Sequence, residues 1–171
     1  MTNPTHSSGN SAGTQQGPQF QLQRIYLKDA SLEMPHAPQI FLETGTPQIE
    51  VQLDVHNERL SETAVEVVVR VTTTARLGER VLFLVEAKQG GIFEMRGIPE
   101  AQLGPVLGVV CPGIIYPYLR ANIADLLTRT GLPPVHLAEI NFEVLYQQRL
   151  AAESQSSVGA MSVPAPTQTR Q

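Results

Sequence analysis

The sequence predicts an α+β fold, a four-stranded antiparallel sheet with C-terminal helices. Four segments of alternating or β-branched apolar residues fill the first half of the chain, and helical spacing takes over after residue 99. A tight link, Leu77 to Arg80, joins the last two strand segments as a hairpin. With 171 residues, 42% of them apolar, the chain can bury one substantial core. A single domain over residues 19–152 is expected, between disordered tails at 1–18 and 153–171.

Residues 1–18 are Ser, Thr, Gly, Asn, Gln and Pro with almost no large apolar side chains, so burial cannot offset their ordering entropy. They also lack a basic segment followed by an apolar one, so no secretory signal is expected. Residues 20–34 form a mixed polar and apolar strand. Residues 48–57 alternate cleanly, with Ile49, Val51, Leu53 and Val55 on one face and Glu50, Gln52, Asp54 and His56 on the other. Residues 63–77 are dominated by β-branched side chains, with Val65, Val67, Val69, Val71 and Thr73 on one face.

The stretch ERVLFLVEAKQGG, residues 79–91, supplies the fourth strand. Strict alternation puts Val81, Phe83, Val85, Ala87 and Gln89 on an apolar face, and Leu82, Leu84, Glu86 and Lys88 on the other. Gly90 and Gly91 are expected to end it.

Residues 101–119 carry no charge over a span approaching the ~20 residues of a bilayer helix. Pro105, Pro112 and Pro117 interrupt the span, three glycines dilute it, and Arg120 and Asp125 follow at once. A helix buried inside a protein assembly, without membrane insertion, is the expectation. Residues 117–131 form a helix through Ile123, Leu126 and Leu127, capped by Gly131 and stopped by Pro133 and Pro134. Residues 136–150 form the last helix, with Phe142, Leu145, Tyr146 and Leu150 on one side.

Composition excludes several function classes. Twelve Lys and Arg against 16 Asp and Glu give a net charge of −4 with no basic run, so no nucleic-acid surface is expected. The lone Cys111 excludes an intrachain disulfide framework and suits a reducing, cytoplasmic compartment. His6, His36, His56 and His136 are scattered without ligand spacing, so neither a metal site nor a cofactor is expected. Cys111 lies in an apolar run, where a buried thiol rather than a nucleophile is expected. ETGTP at 43–47 lacks the phosphate-loop pattern, and no cluster of acid, base and nucleophile marks an enzyme.

Four separated segments, QFQLQRIYLKD (19–29), ERVLFLVEAKQGGIF (79–93), CPGIIYPYLR (111–120) and LAEINFEVLY (137–146), resemble the SecB family of bacterial protein-export chaperones, in order over about residues 20–150. The resemblance implies a SecB-like subunit in a cytoplasmic homotetramer, a dimer of dimers. Such a protein uses no ATP, holds unfolded precursor proteins and hands them to the SecA motor. It implies that Asp29, Glu33, Leu84 and Glu86 dock SecA and that Val85, Ala87 and Gln89 support tetramer assembly. It further implies a client groove lined by the second strand, the loop before it and the final helix, with Phe41, Leu42, Phe142, Leu145 and Tyr146 as candidates. Asp29, Ser31 and Glu33 share one strand parity, which places the two carboxylates ~13 Å apart on one face. A SecB-like chaperone dedicated to a single partner, such as an antitoxin, is the alternative; the carboxylate patch favours export. The family's tail is often acidic, whereas residues 151–171 hold only Glu153 and also Arg170, so no tail contribution to SecA contact is expected.

Overall fold

The computed structural model describes residues 17–159, with side chains through Ser154; the remainder of each expected tail lies outside the described residues. Strands β1 (Gln19–Glu33), β2 (Gln48–Arg59), β3 (Ala64–Leu77) and β4 (Arg80–Arg96) form one sheet in the order β1-β4-β3-β2. All three pairings are antiparallel. β1 and β2 are therefore the two edges. The hairpin between β3 and β4 turns on Gly78, whose φ of 59° suits glycine at the first position of a two-residue link.

Alternation in the sequence becomes two faces of the sheet. Val65, Val67, Val69 and Val71 of β3 stand beside Phe93, Val85 and Ala87 of β4 in the core. Burying each of these valines and the phenylalanine stabilises the fold by about 1.5–3 kcal/mol. Two expectations for β4 need correction. Leu82 is not on the outer face: Ala75 pairs with Phe83 and Arg76 with Val81, so Leu82 is an extra, bulged residue and is buried in the core. Nor do Gly90 and Gly91 end the strand, which continues to Arg96. They are glycines because neighbours cross them: a Cβ on Gly90 would lie 2.7 Å from the Tyr26 ring, and one on Gly91 3.0 Å from Ile115.

A continuous helical segment, Glu100–Thr128, covers the inner face of the sheet. It comprises α1 (Glu100–Pro105), a π turn (Val106–Val110) and α2 (Cys111–Thr128). Proline inside a helix removes a hydrogen bond and crowds the preceding turn, and the π turn directly follows Pro105. Ile115, Leu119, Ile123 and Leu127 recur every fourth residue and are fully buried against the sheet. Cys111, Pro112 and Tyr116 are buried as well, whereas Val110 and Tyr118 are exposed.

Both helix boundaries differ from expectation. α2 stops at Thr128, and Gly131 adopts φ of 80° just beyond it. Residues 133–141 are not helical; α3 (Phe142–Gly159) begins where the Asn141 side chain accepts a hydrogen bond from the Val144 amide at 3.1 Å. Ala151 and Ala152 favour its continuation past residue 152 to Gly159.

Candidate functional site

The outer face of the sheet gathers the four residues assigned to docking. β1 pairs with β4 so that Ser31 opposes Glu86 and Glu33 opposes Leu84, with Asp29 opposite Lys88. The register thus puts Asp29, Glu33, Leu84 and Glu86 on one surface, as their parity predicts. It also brings in two cations, Lys88, which shares that face by parity, and Arg70, which only the β3–β4 register adds. Lys88 Nζ lies 3.0 Å from Asp29 and 3.3 Å from Glu86, and Arg70 of β3 donates to the second oxygen of Glu86. The Arg70 hydrogen bond, reinforced by Lys88, holds the Glu86 carboxyl below the usual carboxylate range. Asp29 is the more accessible charge, with 54% of its side chain exposed against 20% for Glu86.

Beside this patch lies a tighter cluster. Glu66 of β3 is almost fully buried and accepts hydrogen bonds from Lys28 Nζ at 2.7 and 2.8 Å and from the Tyr26 hydroxyl. Burial pushes the Glu66 carboxyl up, but the bonds from Lys28 and Tyr26 outweigh it and hold it low. Tyr26 is pushed up to about 12 by burial and by its bond to that carboxylate.

On the inner face, a groove runs between the free edge strand β2 and α3. Its widest part, about 520 Å³, is lined by Ile49, Val51 and Leu53 of β2, Tyr116 of α2, the 135–140 segment and Leu145. Leu53 and Leu145 continue into a cavity of about 220 Å³ that also meets Tyr146 and Arg149. A further cavity of about 420 Å³ carries the groove past Gly104, Gly108 and Tyr146 to Leu150. Ile49 and Val51 are each nearly half exposed, although β-strand alternation turns them inward. An apolar wall beside an unpaired strand edge can hold extended chain through backbone bonds and side-chain burial together.

Of the groove candidates, Leu145 and Tyr146 line these cavities. Phe142 stands edge-on against Tyr116 and is buried behind the groove wall. Phe41 and Leu42 sit on a 3-10 turn (Gln39–Leu42) that Ile40 anchors in the core; Leu42 is 86% exposed, and neither residue lines the three cavities. Val85, Ala87 and Gln89 lie inside the single subunit beneath α2, where Gln89 accepts a 2.6 Å hydrogen bond from Asn122. The resemblance named the second strand as a groove wall without singling out Ile49 and Val51, and no residue of the 135–140 segment was named. The apolar parity of β2 was the readable signal for Ile49 and Val51. Lys88 shares the face of Leu84 and Glu86 by parity alone, whereas Arg70, on the neighbouring strand, was placed beside them only by the register.

A protein-family model described as preprotein translocase subunit SecB matches residues 13–153. The chain belongs to the SecB family. Its relatives include the protein-export protein SecB of Burkholderia multivorans, 56% identical over 147 residues that cover 86% of this chain and 92% of the relative. The SecB of Herminiimonas arsenicoxydans is 62% identical over 138 residues, covering 81% and 84% of the two chains. Among solved structures, the SecB-like chaperone of Mycobacterium tuberculosis, in complex with an antitoxin peptide, superposes with a TM-score of 0.59 at 16% identity. That match covers 71% of this chain and 90% of the other, and it shows the shared fold. As a SecB, the protein is a non-enzymatic chaperone of protein export, associated with preproteins and the translocase.

Proposed function

We propose that this SecB is an ATP-independent holdase of the cytoplasm that keeps precursor proteins unfolded and delivers them to SecA. The observation that carries this reading is the placement of two unlike surfaces on opposite faces of one sheet. The apolar groove along β2 and the carboxylate-bearing surface of β1 and β4 leave client and motor separate places to bind.

Each apolar contact with an unfolded segment is weak and ordering the segment costs entropy, so affinity must accumulate along a wrapped chain. A homotetramer, arranged as a dimer of dimers, would multiply the groove length. In support of assembly, β1 presents a free edge, Leu27 is exposed beside it, and Val110 and Tyr118 leave an apolar stripe uncovered on the helix. Val85, Ala87 and Gln89 influence that assembly through α2, which they support from below. On the outer face, Asp29, Glu33 and Glu86 around Leu84 suit a small basic module of SecA. Because Arg70 and Lys88 already engage Glu86, and Lys88 also holds Asp29 at 3.0 Å, the incoming cations compete for both, Asp29 being the more exposed of the two.

The test mixes the purified protein with a denatured, Trp-containing export precursor and records native mass with and without SecA. A tetramer that retains the precursor and then adds SecA supports the reading. A protein that ignores the general precursor overturns it and points to a chaperone dedicated to one partner.

A further inference from the structure

Strand β1 contains an irregularity on which the docking surface depends. Leu27 pairs with Gln89 and Asp29 with Lys88, so two steps along β1 match one step along β4, and Lys28 is the extra residue of a β-bulge. Its consequence follows from parity. Tyr26 faces outward opposite Gly90; in a regular strand Lys28, Ala30 and Leu32 would follow it outward, and Asp29 and Glu33 would point into the core. A one-residue shift exchanges the two faces of everything beyond it. The bulge is therefore what brings both docking carboxylates to the surface.

Glu66 grips this bulge from two strands away. Lys28 Nζ bonds both carboxylate oxygens, at 2.8 and 2.7 Å. Tyr26, two residues earlier, reaches the same carboxylate across β4, where only the missing side chain of Gly90 gives its ring room. The earlier bulge on β1, at Gln23, is also tied to the outer face, by a 2.7 Å bond from Gln23 to Glu94. Glu94 is accessible, however, whereas Glu66 is almost wholly buried and meets its two donors on either side of Leu27.

We propose that Glu66 is a positioning residue for translocase docking: with Tyr26 it anchors bulged Lys28, and the anchored bulge aims Asp29 and Glu33 at SecA. The proposal rests on the docking surface proposed above, so its test separates the two. SecA affinity is measured for the wild type, for Glu66→Leu, for a chain with Lys28 deleted, and for the deletion combined with Glu66→Leu. Amide exchange across residues 28–33 is followed in parallel.

Glu66→Leu is expected to weaken SecA binding about tenfold, as for two misdirected surface carboxylates, and to speed exchange at 28–33 while precursor retention is unchanged. Deleting Lys28 removes the bulge and leaves Asp29 outward by simple alternation. In that background Glu66→Leu is expected to change nothing. Glu66→Gln, which keeps an acceptor for both donors, is expected to recover much of the affinity and supplies the comparison if the leucine variant does not assemble. Unchanged SecA affinity in Glu66→Leu, or an equal loss with and without Lys28, would overturn the proposal; the second result would make Glu66 a charge felt by the partner. If Asp29→Asn with Glu33→Gln leaves SecA affinity intact, the docking surface itself is wrong. Exchange at 28–33 still decides the anchoring, with unchanged rates in Glu66→Leu overturning it.

Discussion

Replacing Gly108 by alanine tests how the groove wall is held. A Cβ at this position would stand 2.4 Å from Cδ2 of Tyr146 and 2.8 Å from Cε2, and one at Gly104 would stand 2.4 Å from the Tyr146 hydroxyl. Carbon atoms settle at ~3.5–4.0 Å, so the Tyr146 ring must move by more than about 1 Å. Two effects oppose each other. Alanine favours helix over glycine by ~1 kcal/mol, while forcing a methyl into a filled notch costs ~1–3 kcal/mol. The clash wins or nearly balances, and its cost falls on α3, because Tyr146 is the side chain seated between the two glycines. Loosening α3 by up to ~2 kcal/mol raises its opening by up to about 30-fold without unfolding the sheet. Hydrogen exchange of residues 145–152 should accelerate accordingly, with β3 and β4 unchanged. Slower exchange in α3, together with a higher thermal midpoint, would show that glycine flexibility alone mattered and that the notch seats nothing.

Asn122→Ala leaves the buried Gln89 side-chain oxygen without its donor and should cost about 1–3 kcal/mol in urea unfolding, whereas replacing both Gln89 and Asn122 by leucine should recover most of it; additive losses would contradict the pairing. Glu66 gives a pH signature: a carboxyl held below its ordinary value of 4.5 stabilises the fold above that value, and the contribution disappears as pH falls through the depressed one. The stability gap between wild type and Glu66→Gln should be constant from about pH 6 to 8 and shrink below 4.5; a gap that widens on acidification would contradict the assignment.

The strands were legible because their side chains alternate where one face is buried: β2 and β3 lie close to where parity places them, and the hairpin at Gly78 follows from its turn chemistry. What escaped was every departure from alternation. In β1 the inward apolar residues are Phe20, Leu22, Ile25, Leu27, Ala30 and Leu32, and the steps of two and three between them are the imprint of its two bulges. That spacing is visible in the sequence, yet it reads as a mixed strand until a register exists. Gly90 and Gly91 looked like a stop because local rules cannot see Tyr26 or Ile115 arriving from elsewhere in the chain. The last helix was placed too early because apolar residues before Asn141 continue the helical pattern, while the cap that decides its start is a single side chain.

At the site, the carboxylates of the patch were legible from parity and family resemblance, and parity also put Lys88 on their face, but Arg70 was not legible. Arg70 and Glu86 are 16 positions apart, and only the β3–β4 register joins them. The second strand was expected along the groove, but that Ile49 and Val51 themselves line it depends on β2 being an edge that α2 does not reach across to cover.

The central claim, that client and motor occupy opposite faces of one sheet, is tested most directly by hydrogen-exchange footprints of the protein with denatured precursor alone and with SecA alone. The account predicts that precursor protects residues 49–55 and 135–149 while SecA protects 29–33 and 84–86. Protection of the β1–β4 outer face by precursor, or of the β2 groove by SecA, would contradict it.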